Sequence, residues 1–283
     1  MASEHRIKRK FRELRARGEA ALIPFVVAGD PDLDTTRRLV LELEARGADL
    51  IELGVPFSDP MADGPANQRA LARGLGAGAS LAAILSMVSE LRAHTQIPIV
   101  LFGYYNPIFH YGCERLCADA ARAGIDGILV VDLPPEEAGE LKRPARANGL
   151  DLIYLLAPTT PLERSRAIAR SASGFLYYVS VMGVTGARAH LDAGIAEHMR
   201  ELRGVTDLPI GVGFGISTPE QAAEVATMAD AVVVGSAISL LIEAHAKSGD
   251  VPEAVGQLVG AMKEAMKAAR RKTEGAPAEN SDG

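Results

Sequence analysis

Tryptophan is missing from these 283 residues, and aromatic side chains make up only 5% of them. Cysteine occurs twice, at Cys113 and Cys117. A spacing of four in an alanine-rich stretch suits one helix face better than a disulfide, and a reducing compartment is the simpler inference. No uninterrupted apolar run approaches the ~20 residues that span a bilayer, and no secretory leader pattern opens the chain. These absences point to a cytoplasmic protein. The net charge of −6 gives little positive field for a polyanion, which argues against nucleic acid as the main partner.

Other absences bound the chemistry. The lysines avoid the predicted strands and the positions just after them, so a Schiff-base mechanism is not expected. The six histidines are scattered without an HxH or HxxxH pair, and His110, after the third predicted strand, stands alone. A zinc site is therefore not expected. No GxGxxG follows the first predicted strand, which weakens a dinucleotide reading. The expectation is a reaction run by carboxylates, with no cofactor and no metal.

What is present is a repeat. Eight short apolar, β-rich runs recur: ALIPFVVA, ADLIELGV, IPIVLFGY, GILVVDL, LDLIYLLA, GFLYYVS, PIGVGFG and DAVVVGS. Helical segments such as LDTTRRLVLELEARG lie between them. Continuously apolar strands are buried on both faces, as in a parallel sheet covered by helices. Strand and helix alternating eight times predicts a single (β/α)8 TIM barrel, with an open doubly wound sheet as the other possibility. The basic run RIKRKFRELRAR carries Ile7, Phe11 and Leu14 at helical spacing and predicts an extra N-terminal amphipathic helix lying on the fold. One domain is expected over residues 1–272, followed by a polar, disordered tail over 273–283.

In such a barrel, function gathers at the C-terminal ends of the strands. Glu52 lies inside the apolar run ADLIELGV, where an ionised carboxylate is costly to desolvate and its pKa should rise. It is either an acid–base group or a structural glutamate paired with a hydroxyl or arginine. Asp63 follows in a Pro/Gly-rich loop, where it is either a turn former or a partner for Glu52 in one cavity. Glycine-bearing turns end the last three strands: MGVTGAR, GFGIS and VVGSAI. Gly215, Gly235 and Ser236 suit a phosphate cradle of backbone N–H groups at a helix start, with Gly186 on a covering loop. The long stretch VMGVTGARAHLDAG reads as a lid.

These segments together resemble the tryptophan synthase alpha-subunit family, through PFVVAGDP, DLIELGVPFSDPMADGP, GYYNPI, VDLPPEE, APTTP, GVTGAR, GFGIS and VVGSAI, in family order. The resemblance implies a lyase of tryptophan biosynthesis that cleaves indole-3-glycerol phosphate to indole and glyceraldehyde 3-phosphate. It implies Glu52 as the acid–base residue and Asp63 as the acceptor of the indole N–H. Phe25, Phe102, Tyr104, Leu129, Leu155 and Tyr177 match the positions around the indole. Gly186, Gly213, Phe214, Gly215, Gly235 and Ser236 match the phosphate site, and Thr185 matches a lid threonine that orients the aspartate. A tryptophan synthase beta subunit is the implied partner, in an α2β2 heterotetramer, docked through Pro56, Phe57, Asp59 and the segment 106–109. A stand-alone lyase releasing free indole and a non-catalytic activating subunit are the alternatives. Three residues depart from the family pattern: Val27, Met182 and Asn67. Asn67 replaces an aliphatic residue against the indole. Its amide needs a partner; exchange for isoleucine is expected to tighten substrate binding or leave it unchanged, whereas a large loss of turnover would give the amide a direct role.

Overall fold

The computed structural model describes residues 5–179, 193–213 and 215–275. Eight parallel strands close into a barrel in sequence order. They are β1 (Ala21–Val27), β2 (Ile51–Gly54), β3 (Ile99–Gly103), β4 (Gly127–Val130), β5 (Asp151–Leu156), β6 (Leu176–Val179), β7 (Ile210–Gly213) and β8 (Ala231–Val234). Each falls within one of the eight apolar runs. The helices begin with α1 (Arg6–Ala16), α2 (Leu33–Ala45), α3 (Pro65–Gly76), α4 (Leu81–Leu91), α5 (Tyr105–Tyr111) and α6 (Cys113–Ala123). They continue with α7 (Gly139–Ala147), α8 (Leu162–Ser171), α9 (Ala193–Arg203), α10 (Pro219–Ala226), α11 (Ser236–His245) and α12 (Val251–Gly275). The barrel, rather than an open sheet, is the architecture. Helix α12 runs three residues past Lys272. Both cysteines are free thiols on α6. Among the described residues no single helix is long and apolar enough to cross a membrane.

The strands are apolar throughout because successive side chains enter two different cores. Leu22, Ile128, Leu152, Tyr178 and Val232 point outward into the layer between barrel and helices. Ile23, Leu129, Ile153, Tyr177 and Val233, one residue further or one residue back, fill the barrel interior. Glu52 lies between Ile51 and Leu53, both outward, so the same alternation turns it inward. Its register partners are Phe25 on β1 and Val100 on β3.

The N-terminal basic run forms α1, and its apolar stripe closes the floor of the barrel. Ile7, Phe11 and Leu14 join the interior cluster, with the Phe11 ring 5.7 Å from that of Phe175. Burying three such side chains contributes on the order of 6 kcal/mol before entropy is counted. Gly127 makes room for them: a Cβ there would lie 2.8 Å from Ile153 Cδ1 and 3.3 Å from Ile7 Cδ1. A repeated device pins the lower rim. Asp49, Asp126 and Asp230, just before even-numbered strands, accept hydrogen bonds from the N–H groups of Leu22, Ile99 and Ile210 at the starts of the preceding strands. Arg6 and Arg92 neutralise Asp126 at 2.9 and 3.0 Å, and the buried Lys263 meets Asp49 at 2.7 Å. The lower end is thus devoted to stability, and the upper end is left for chemistry.

Candidate active site

A cavity of about 180 Å³ opens at the C-terminal ends of the strands. Glu52 is at its base with no exposed surface, and among the described residues neither carboxylate oxygen has a hydrogen-bond partner. Among the described residues, the arginine or hydroxyl that a structural glutamate would require is not there. Burial pushes the Glu52 pKa up to about 8, because the charged form loses hydration and gains nothing in exchange. The group can therefore hold or release a proton near neutrality.

Asp63 reaches the same cavity from the loop between β2 and α3. It sits just before Gly64, the N-cap of α3, with Pro65 opening the helix. The Tyr104 hydroxyl donates to Asp63 Oδ2 at 2.6 Å and accepts from the Ala62 N–H at 3.0 Å. Gln68 Nε2 donates to the Asp63 carbonyl oxygen at 2.9 Å and pins the backbone. Burial raises the Asp63 pKa, while the hydrogen bonds from Tyr104 and Asn67 oppose the rise. Two carboxyl groups thus share one cavity in unlike surroundings, one dry and unpartnered, the other held by donors. Such a division lets one serve as acid and the other as a fixed negative charge.

Between them lies an apolar slot. The Phe25 and Phe102 rings meet edge to face at 5.0 Å, and Tyr177 follows Phe102 at 6.5 Å. Leu155, Val131, Val179 and Val233 complete the walls. Opposite are Gly215, Gly235 and Ser236. Gly215 has φ +78°, a conformation that a side chain would strain. Gly235, which lines the cavity, is the N-cap of α11 and supplies no side-chain cap, so the helix start at the cavity wall is left without one. A helix start of this kind attracts an anion.

Not every residue singled out from sequence lines the cavity. Tyr104 acts from behind, through Asp63. Leu129 is fully buried in the barrel interior beneath it. Gly213 makes space for a neighbour, since a Cβ there would overlap the Tyr177 hydroxyl. Met182, Thr185, Gly186 and Phe214 lie outside the described residues. Sequence reading did not single out Val131, Val179 and Val233, although strand alternation could have placed Val233 inward.

The family profile described as tryptophan synthase alpha chain matches residues 11–269. The chain belongs to the tryptophan synthase alpha chain family. The family member from Citrifermentans bemidjiense is 58% identical over 261 residues, 92% of this chain and 97% of that one. The one from Geobacter sulfurreducens is 52% identical over 261 residues, 92% of this chain and 98% of that one. The crystal structure of tryptophan synthase subunit alpha from Legionella pneumophila superposes with a TM-score of 0.87 at 40% identity, covering 94% of this chain and all of that one.

Against the tryptophan synthase alpha pattern, the departures at Val27 and Asn67 find local accommodation. Val27 is buried with Phe25, Ala70 and Leu71 beneath α3. The Asn67 amide has partners on both ends: Ser239 Oγ donates to its Oδ1 at 2.8 Å, and its Nδ2 donates to Asp63 Oδ1 at 3.4 Å. The apolar surface expected around Phe57 and residues 106–109 is altered. Residues 106–109 belong to α5 rather than a loop, and Ile108 packs into the core with only 4% exposure. Phe109 is 60% exposed and Met61, in the Asp63 loop, 92%. Phe57 leans on Tyr104, ring to ring at 5.2 Å.

Proposed function

We propose that Glu52 and Asp63 carry out the cleavage of indole-3-glycerol phosphate to indole and glyceraldehyde 3-phosphate. The observation that carries this reading is Glu52, buried without a partner among the described residues, its pKa raised to about 8, in the same cavity as the donor-held Asp63. In the acid form Glu52 protonates the indole ring carbon that bears the side chain. The bond from that carbon to the glycerol chain then breaks, and its electron pair restores the aromatic ring. The hydroxyl on the adjoining chain carbon gives up its proton to the Glu52 carboxylate and becomes the aldehyde. One proton leaves Glu52 and one returns, so no outside acid, base or redox partner is needed. Asp63 accepts the indole N–H and stabilises the positive charge that the ring carries midway, an electrostatic contribution of the kind expected to dominate.

The rest of the cavity serves binding. Phe25, Phe102, Leu155 and Tyr177 hold the indole between apolar surfaces. Gly215, Gly235 and Ser236 take the phosphate at the start of α11, together with Gly186 and Phe214 from outside the described residues, and Gly213 serves by leaving room for Tyr177. Thr185 belongs to the lid. The proposed partner is a tryptophan synthase beta subunit, docked on the face that carries Phe109, Asn106 and Asp59, which receives the indole directly.

The test is indole release from indole-3-glycerol phosphate by the purified chain, with and without a chelator. Turnover is expected to persist with chelator. Glu52→Gln and Asp63→Asn should each lower turnover by about 10²–10⁴, the range for positioned acid–base and electrostatic groups. Activity that disappears with chelator, or that survives both substitutions, would overturn the assignment.

A further inference from the structure

We propose that Asn67 is a positioning residue: its amide ties the Asp63 carboxylate to α11, so that the groups facing the indole and the phosphate keep a fixed relation. This rests on the assignment of Asp63 above. The geometry defines the amide without ambiguity. An ionised carboxylate only accepts, so the edge facing Asp63 must be the NH₂ group, and the carbonyl edge then takes the Ser239 hydroxyl proton. Ser239 is itself buried, at 1% exposure, and lies one helical turn after Ser236. Its carbonyl oxygen accepts from Arg73 Nη2 at 3.5 Å. Arg73, on α3 like Asn67, also grips the buried Asp30 at 2.7 and 2.8 Å and Glu243 of α11 at 3.1 Å. Helices α3 and α11 are thereby held together next to the Asn67–Ser239 contact.

The result is a continuous chain of donors and acceptors from Ser239 through Asn67 and Asp63 to Tyr104 and the Ala62 N–H. Among the described residues each Asp63 oxygen has one side-chain donor. The bond from Asn67 is long at 3.4 Å without substrate, and such bonds commonly tighten when substrate binds. Among the described residues, the titratable groups lining this cavity are Asp63 itself, Glu52 at the base and Tyr177 on β6, with Tyr104 bonded to Asp63 from behind. Among them only Asp63 receives a bond from Asn67. Removing that bond should therefore shift the ionisation of Asp63 upward, since the donor favours its charged form.

The experiment measures kcat, KM and the pH profile of kcat/KM for Asn67→Ile, Asn67→Asp, Ser239→Ala and Asp63→Asn. Asn67→Ile should lower kcat about tenfold, as expected for a hydrogen bond to a charged group, with KM nearly unchanged and the acid limb moved to higher pH. Asn67→Asp keeps an acceptor for Ser239 but faces Asp63 with a second carboxyl, and should move the acid limb further. Ser239→Ala, a small change within a helix, should give a lesser loss in the same direction, and it decides the matter should the Asn67 variants not fold. A kcat and acid limb equal to those of the unaltered chain, or a lower kcat with an unmoved limb, would overturn the inference. If Asp63→Asn retains turnover, the assignment of Asp63 itself fails. If Asp63→Asn is inactive while Asn67→Ile and Ser239→Ala are unaffected, only the role of Asn67 fails.

Discussion

Glu52 should make the stability of this chain fall with rising pH, and Glu52→Gln should remove that dependence. In the folded chain Glu52 holds its proton up to about pH 8, whereas a glutamate free of the fold releases it near 4.5. Between those values the folded state binds one more proton than the unfolded state. Stability attributable to Glu52 therefore declines as pH rises, by about 1.4 kcal/mol per pH unit, and levels off above pH 8. The full span corresponds to at most about 5 kcal/mol, a large fraction of the stability of a typical domain. Glutamine fills nearly the same volume and does not titrate, so its own burial cost is constant with pH. Urea unfolding of both proteins from pH 5 to 9 reads out the difference directly, because every other titrating group is common to both. The stability of Glu52→Gln relative to the unaltered chain should rise steadily from pH 5 to 8 and then stay level. A difference that is flat across the range would mean that Glu52 is solvated or partnered in solution, and the acid role would lose its physical basis.

Two further outcomes follow from the geometry. Phe109→Lys should abolish stimulation of indole release by an added tryptophan synthase beta subunit while sparing the basal rate, because Phe109 is exposed and outside the cavity; a response equal to that of the unaltered chain would place the docking face elsewhere. Gly213→Ala should raise KM severalfold with unchanged far-ultraviolet circular dichroism, since the new Cβ would displace the Tyr177 phenol from the slot; an unaltered KM would mean that Tyr177 can move without consequence.

The barrel was legible because its signal is repeated. Eight apolar runs separated by helical stretches leave few architectures, and each run contains a strand. The inward direction of Glu52 followed from its place between two outward aliphatic residues, and the unusual feature of a carboxylate in an apolar strand was visible from the start. The floor formed by α1 was likewise foreshadowed by Ile7, Phe11 and Leu14 at helical spacing. Ile108, in the segment expected to dock a partner, is instead buried: residues 106–109 belong to a helix, α5, and only its tertiary neighbours decide which side chain turns inward.

Sequence by itself determined the alternation, the family pattern and the presence of two carboxyl groups near the end of the second strand. It did not determine their environments. That Glu52 lacks a partner among the described residues, that Tyr104 serves Asp63 rather than lining the slot, and that Asn67 meets Ser239 across 172 residues of chain are properties of the closed barrel. Local sequence sets periodicity and backbone conformation, which act over a few residues. Desolvation and hydrogen-bond pairing depend on which distant segments closure brings together, and those interactions decide the proton affinity of the site.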